Sequence, residues 1–344
     1  MTGASPLQER HIAVVGAGLA GATLANALSA AGANVTVFEK SRGAGGRMST
    51  RRAPTDQPEC GPFDHGAQYF TAKSDSFKNA LDRWHAEGLV APWRPRHVPD
   101  TEASRRATWW VPVGGMNALA KSLLAGTEVV TGTRVTAIDQ SGGRLALSFT
   151  DGTETDKQTR DYDHVLVTAP GPQAFDLLGG ISSAFHPIGD ITYAPCWALM
   201  LVPDRPLELP FDTWRGENHI IAWAARNATK PKHGAAQSGA EPWTVHAGGE
   251  WSRANLERSA ESVATDLLEE FEKIAGSPIT PRFLKAHRWR YALVETPLKG
   301  GDEKPFILSA DGRTGFASDG CRAGRVEAAF ESAYGLAEDL INRT

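Results

Sequence analysis

Cysteine is scarce in this 344-residue sequence, and Cys60, Cys196 and Cys321 stand far apart with no CxxC pair among them. That spacing argues against a disulfide framework and a zinc site, and it fits a reducing, cytoplasmic compartment. An excess of either charge is also missing. The formal net charge is only -4, so no long-range field recruits nucleic acid or an anionic membrane. Long apolar runs are absent too. The nearest, Ile12 to Ala33, has glycines at turn-forming positions and is interrupted by Thr23, Asn26 and Ser29. It lacks a basic leader and a cleavage site, so it reads as neither a membrane span nor a signal peptide. Met1 to Arg10 reads as a loose tail. The composition is that of an ordinary globular protein, and the length suits two domains or one domain with a large insertion.

What is present begins at His11. The apolar run Ile12-Ala13-Val14-Val15 leads into Gly16-x-Gly18-x-x-Gly21, then a helical pattern, then a second apolar run that ends in Glu39. Strand, tight turn, helix and strand within one short stretch make a dinucleotide fingerprint. Gly16 permits the sharp exit from the strand, and Gly18 lets the backbone approach a pyrophosphate. Gly21 lets the helix pack close to the sheet. The helix N-terminus then faces the phosphates with unpaired N–H groups and a partial positive charge. Glu39 closes the second strand, where a carboxylate can accept from both hydroxyls of a ribose.

A second glycine-rich loop follows at once, Ser41-Arg42-Gly43-Ala44-Gly45-Gly46-Arg47-Met48-Ser49-Thr50. A protein that holds only NAD does not need it, whereas a flavin dinucleotide must be wrapped from a second side. Arg47 can offer a planar fork to phosphate oxygens. In Phe63-Asp64-His65-Gly66-Ala67-Gln68-Tyr69-Phe70, small residues before aromatics suggest backbone passing a flat ring, with Tyr69 and Phe70 facing a pocket. The alternative for such residues is plain core.

Ser74 to Glu87 has helical spacing, and Val90 to Ala107 is rich in Pro and Arg and reads as irregular surface. Its arginines (Arg94, Arg96, Arg105 and Arg106) either meet a phosphorylated substrate or sit in solvent. After Trp109-Trp110 come a helix over Asn117 to Leu124 and short strands over Glu128 to Val130, Arg134 to Ile138 and Leu145 to Thr150. Asp163 to Pro170 holds a buried parallel strand that returns the chain to the first sheet. Gly171 to Leu284 has no fingerprint. It predicts strands around Cys196 to Val202, His219 to Ala224 and Trp243 to Ala247, a helix over Arg253 to Lys273, and a mobile polar loop over Asn227 to Glu241. Many of the tryptophans lie here, which suggests a sheet roofing a cavity. His287, Trp289 and Tyr291 alternate along one side of a strand. Gly315 to Gly320 predicts a strand with Asp319 at its tip, before a helix opened by Arg325 and Val326. That acid and that helix end can serve the ribityl chain and the reduced edge of a flavin.

In this order GAGLAG, VFEK, GGRMST, DHGAQYF, VHAGGEWS, AHRWRY and SDGCRAGRVEAAF resemble the bacterial renalases over nearly the whole chain. These are FAD-dependent oxidoreductases of the flavin amine oxidase superfamily. The resemblance implies an α/β fold. It combines a glutathione-reductase-type Rossmann FAD-binding domain with a mixed α+β substrate domain built on an antiparallel sheet. The expected bounds are residues 9–75, 108–170 and 285–344 for the first and 76–107 and 171–284 for the second.

The resemblance also implies non-covalent FAD and hydride transfer from 2- or 6-dihydro-NAD(P), with O2 as acceptor. It places the cofactor at Gly16, Gly18, Ala20, Gly21, Glu39, Lys40, Arg47, Gln68, Tyr69, Val135, Asp319, Arg325 and Val326. The substrate pocket falls to Tyr69, Phe70, Trp110, Cys196, His246, Trp289 and Tyr291, with His246 and Arg288 near the carboxamide or phosphates of the substrate. No metal site is implied. The family's Gly-Asp-Trp is here Ser318-Asp319-Gly320, and Ala328 stands where a glycine is usual. A flavin amine oxidase or desaturase-like enzyme, with Trp289 and Tyr291 as an aromatic pair, is the alternative. A flavin-bearing redox sensor or binding module is another.

Overall fold

A computed structural model describes residues 7–343 apart from 53, 59, 100, 103–105, 142, 152–156, 218 and 234–239. The chain forms two compact units. The first comprises the chain up to Gly46, Leu119–Thr192 and the chain from Val294 onward, and the second comprises Arg47–Ala118 and Tyr193–Leu293.

The first unit is built on a six-stranded sheet. Its order is Phe306–Leu308, Thr314–Ala317, His164–Val167, His11–Val15, Asn34–Glu39, Glu128–Thr131. Every pairing is parallel except that of the edge strand Phe306–Leu308. The inner strands are mostly apolar, as strands covered on both faces must be. Ile12, Val14, Val37 and Leu166 are fully buried. Helices Leu19–Ala30 and Val326–Ile341 bring Leu24, Leu28, Leu336 and Leu340 into one core with them. Burying side chains of this size stabilises by roughly 1.5–3 kcal/mol each. Leu7 joins that core at 3% exposure. The expected loose tail is therefore docked from Leu7 on, and residues 1–6 lie outside the described residues. An antiparallel meander, Arg134–Ser141, Arg144–Thr150 and Lys157–Tyr162, sets Phe149 against Phe38 with 4.9 Å between ring centroids.

The second unit is built on another six-stranded sheet, in the order Pro281–Thr296, Thr192–Pro203, Trp243–Ala247, Ile221–Arg226, Thr213–Arg215, His97–Val98. Helices Gly249–Ala254 and Ala260–Ala275 pack on one face, where Trp197, Leu199, Leu201, Trp243 and Val245 meet Val263, Leu267 and Phe271. The period-two alternation of a strand puts Thr244 and His246 on the opposite face. The single helix expected over Arg253 to Lys273 is two. The first ends at Asn255; Ser259 caps the second by accepting from the Ser262 N–H, and Gly276 ends it at φ +75°.

The Pro- and Arg-rich stretch is more ordered than its composition suggests. Val90–Trp93 pairs with Trp109–Pro112, and His97–Val98 joins the large sheet. Arg96 forms a two-pronged bond to Asp212, at 2.7 and 3.1 Å, so it is a structural anchor. Arg105 lies outside the described residues. Residues 227–233 of the expected mobile loop are held by side-chain bonds described below, and 234–239 lie outside the described residues.

The expected domain bounds shift. Residues 47–75, 108–118 and 285–293 belong with the second unit, and 171–192 with the first. Each exchanged segment goes with the sheet that it hydrogen-bonds or covers, and local composition does not reveal that.

Two glycines test the close packing of the first unit. A Cβ on Gly21 would overlap the Gly16 carbonyl oxygen, whereas one on Gly43 would meet nothing within 4 Å. Gly21→Ala is expected to destabilise by about 3 kcal/mol or more, and Gly43→Ala by less than about 0.5 kcal/mol. Denaturant melts of the two variants check this.

Candidate functional site

In the first unit the strand His11–Val15 ends at Gly16, which turns at φ +109°. Thr168, at the end of the neighbouring strand, donates its hydroxyl to the Val15 and Gly16 carbonyls at 3.0 and 3.1 Å. A Cβ on Gly16 would lie 2.8 Å from that hydroxyl oxygen, so glycine is required there on two grounds. Helix Leu19–Ala30 follows with no side chain capping its first turn and no acid in it. Its N–H groups and dipole are thus directed outward for an anion.

Glu39 is buried, with Oε2 accepting from the Ala17 N–H at 2.9 Å and Oε1 from the Ser41 N–H at 2.7 Å. Each oxygen keeps a lone pair for a ribose hydroxyl. The Thr133 N–H binds the Glu39 carbonyl and the Gly132 N–H binds that of Ser41, both at 2.9 Å. This brings the strand that starts with Arg134 and Val135 to the same corner. The second glycine loop folds onto the first: the Gly45 N–H donates to the Ala17 carbonyl, and a Cβ on Gly46 would lie 3.2 Å from the Gly18 Cα. Side chains would fill this cradle, and its glycines keep it open. Lys40 donates to Gln173 Oε1 at 2.9 Å, and partial desolvation of its ammonium together with Arg134 lowers its pKa.

At the same carboxyl edge of the sheet, Asp319 lies in a 3-10 turn after strand Thr314–Ala317. Ser318 spans that turn. Its N–H donates to Ser332 and its hydroxyl accepts from the Gly320 N–H. Arg325 precedes Val326 at the start of the last helix, again with no side-chain cap.

In the second unit the segment Phe63 to Phe70 is held by donors from the sheet. Thr244 donates to the Asp64 carbonyl at 3.0 Å, and Trp289 donates to the His65 carbonyl at 2.9 Å. His246 Nε2 lies 3.2 Å from the same His65 oxygen, and Asn227 Oδ1 accepts from the Asp64 N–H. The Ala67 N–H donates to the Arg47 carbonyl, and a Cβ on Gly66 would overlap that carbonyl. The small residues of this motif therefore serve a close approach of two backbones within the unit.

The Asp64 carboxylate is fully enclosed. Thr50 Oγ1 and the Met116 N–H donate to Oδ1, Lys230 Nζ donates to Oδ2 at 2.9 Å, and His233 Nε2 lies 3.3 Å from Oδ2. Burial alone would raise its pKa, but Lys230, His233 and the Met116 N–H outweigh that and hold the carboxyl well below its usual range. Burial lowers the Lys230 ammonium while the Asp64 charge supports it, so the two groups form an ion pair. Lys230 also donates to Gln68 Oε1 and lies over the Trp93 ring, and Gln68 donates to the Gly66 carbonyl. Gln68, expected at the cofactor, is thus part of this buried network.

Two ring clusters flank the segment. In one, His65 packs edge-on to His287 at 4.9 Å and beside Trp289 at 5.1 Å. Burial, with nearby cationic groups, pushes His65 to about 3, and burial pushes His246 and His287 to about 4, so all three imidazoles are neutral. In the other, Tyr69 stacks on Trp109 at 4.0 Å and 9°, beside Trp93 and Trp223. Arg215 donates to the Tyr69 hydroxyl at 3.4 Å.

Some pocket expectations change here. Phe70 is core, packed on Phe77, and Trp110 meets His85. Strand alternation gives Trp109 to the Tyr69 cluster in place of Trp110. Arg288 and Arg290 share Glu257, and Arg288 also donates to the Leu256 carbonyl, so Arg288 pins a turn. Tyr291 packs on Tyr193, whose ring also carries Arg47 at 5.5 Å, and Trp289 does not pair with Tyr291. The Cys196 thiol is pushed to about 12 by burial and is no nucleophile. Lys230, Asp64, Trp109 and Trp223 carry more of the site than the sequence suggested. The only local signal was the pattern of tryptophans.

A flavin containing amine oxidoreductase family model matches residues 99–341, and an NAD(P)-binding Rossmann-like domain model matches residues 14–84. Similar solved structures include a protein from Exiguobacterium sp. 255-15 described as a protoporphyrinogen oxidase (TM-score 0.74, 14% identity, covering 97% of this chain and 99% of that one). Putrescine oxidase bound to putrescine is another (TM-score 0.67, 13% identity, 98% and 100% covered). Cyclohexylamine oxidase from Brevibacterium oxydans IH-35A is a third (TM-score 0.69, 13% identity, 96% and 99% covered). At these identities the likeness shows the fold.

Removing Lys230 strands a buried charge. Lys230→Met is expected to cost about 3–5 kcal/mol, and Asp64→Asn combined with Lys230→Met less than Lys230→Met alone. A double-mutant cycle by denaturant melts checks this. The neutral histidines set a pH dependence. Unfolded, they protonate near 6.5; folded, only near 3 to 4. The unfolded chain binds more protons across that window, so their contribution is complete above about pH 6.5 and is lost as pH falls toward 4. His246→Asn is expected to flatten the fall in melting temperature across that window, and an unchanged slope contradicts the assignment.

Proposed function

We propose a function on one premise: this chain belongs to the flavin-containing amine oxidoreductase family, whose model covers most of it. On our reading it is an FAD-dependent oxidase. It takes hydride from isomeric, 2- or 6-dihydro, forms of NAD(P) and passes the electrons to O2, yielding NAD(P)+ and H2O2. The flavin, when bound, supplies the hydride acceptance and the reaction with O2. Everything else falls to the protein.

The residues of the first unit fit such a cofactor. Gly16, Gly18, Ala20 and Gly21 would take the pyrophosphate, Glu39 the ribose, and Val135 the adenine. Asp319 and the helix end at Arg325 and Val326 would take the ribityl and ring end. Non-covalent binding is supported by the buried thiols. Cys196 is pushed to about 12 and Cys321 to about 11, so neither is the thiolate needed for a thioether link.

The observation that carries the substrate reading is the chemistry of the ring clusters in the second unit. They offer flat aromatic walls and neutral imidazoles. Asp64, the carboxylate enclosed between them, is fully committed to its donors. A dihydropyridine suits such a site because loss of hydride leaves an aromatic pyridinium and no protein base is required. The protein's work is stacking, orientation and exclusion of water.

A second reading, oxidation of a small amine, has one observation in its favour. The second unit holds a buried lysine, Lys230, among its aromatic rings. Its ammonium is committed to Asp64 and Gln68, which weighs against a catalytic role.

Mixing the holoprotein under argon with 2- or 6-dihydroNAD is expected to bleach the flavin within the mixing time, while simple amines leave it oxidised. Peroxide release with amines, and none with dihydronicotinamides, would overturn the first reading in favour of the second.

A further inference from the structure

We propose that Arg215 is the phosphate-recognition residue of the substrate site in the second unit. The assignment of that site to a dihydronicotinamide substrate rests on the reading above; the anion site itself stands on the geometry of the ring cluster.

Arg215 lies at the end of strand Thr213–Arg215, exposed, with its guanidinium 5.4 Å from the centroid of Trp223. One of its N–H groups donates to the Tyr69 hydroxyl, and Tyr69 is stacked on Trp109. The side chain is therefore held between the Trp223 ring and the Tyr69 hydroxyl. Among the described residues no carboxylate pairs with Arg215. Arg96, Arg226, Arg288, Arg290 and Arg322 of the same chain each have one. A guanidinium has five donors in a rigid fork, and one of those here is spent on a weak bond to a phenol. The remaining face can take two oxygens of a phosphate at once.

A second observation lies directly beneath. Trp223 is 6% exposed, and its indole N–H is buried with no acceptor among the described residues. Leaving a buried donor unpaired is costly. An oxygen admitted by a small shift of the Arg215 side chain would recover that bond. A held fork above an unpaired donor, beside stacked rings, suits a flat ring joined to a phosphate. The same positive charge repels a protonated amine, so it selects by exclusion as well as by attraction.

The test uses the holoprotein and three 6-dihydro donors: the dinucleotide, the mononucleotide and the riboside, which has no phosphate. In Arg215→Gln, KM for both phosphate-bearing donors is expected to rise about tenfold or more, for loss of a charge-assisted bidentate contact. KM for the riboside should change far less. Arg215→Lys should fall between, because it keeps the charge and loses the fork. Mononucleotide and dinucleotide affected alike assigns the nicotinamide-side phosphate; an effect on the dinucleotide alone assigns the distal one. An equal KM change for the riboside, or none for any donor, overturns the proposal. Tryptophan fluorescence titrated with inorganic pyrophosphate is read in parallel and does not depend on the substrate assignment. A saturable change in wild type that is lost in Arg215→Gln and weakened by salt supports the anion site even if no dihydronicotinamide is oxidised. No change at millimolar pyrophosphate overturns it.

Discussion

One buried carboxylate fixes the shape of the nucleotide end. Glu39 holds the Ala17 N–H with one oxygen and the Ser41 N–H with the other. The first glycine loop, the second glycine loop and the turn at Gly132 and Thr133 are thereby tied at a single corner. Thr168 braces the first loop from below through the Val15 and Gly16 carbonyls. The N-terminus of the helix that begins at Leu19 is left uncapped and outward-facing. On the proposed reading, this glycine-lined corner with its helix dipole and carboxylate takes an adenosine diphosphate, and its bonds, already formed within the chain, leave little ordering cost for binding.

The second unit uses the same device for a different end. Its Phe63 to Phe70 segment has little regular structure, yet Thr244, His246, Trp289 and Asn227 bind its backbone, and Lys230 closes over Asp64. That fixes Tyr69 on Trp109 and His65 beside Trp289. Groups capable of acid, base or nucleophilic chemistry are neutralised in the process: Asp64 by pairing, the histidines and Cys196 by burial. On the proposed reading, what is left for a substrate is surface, orientation and the charge of Arg215. Such a site suits chemistry carried by a cofactor.

Much of the first unit was legible in the sequence because its signals are local. The fingerprint, Glu39, the return strand at Val165 to Val167 and the last helix after Arg325 all fall where their residues predicted. The second unit was legible only in outline. Lys230 and Asp64 are 166 positions apart, and nothing near either announces the pair. Arg288 looked available for phosphate because Glu257, 31 positions away, is invisible to local reading. Trp109 and Trp110 are adjacent, and only the direction of their strand decides which one faces Tyr69. Phe70 shows the same limit: a motif's aromatic is core when the neighbouring Phe77 happens to cover it.

The most direct measurement is the absorption spectrum of the purified protein before and after acid precipitation. The account predicts the bands of oxidised flavin in the native sample and stoichiometric FAD in the supernatant once the chain is precipitated. A colourless protein that also takes up no added FAD would contradict it.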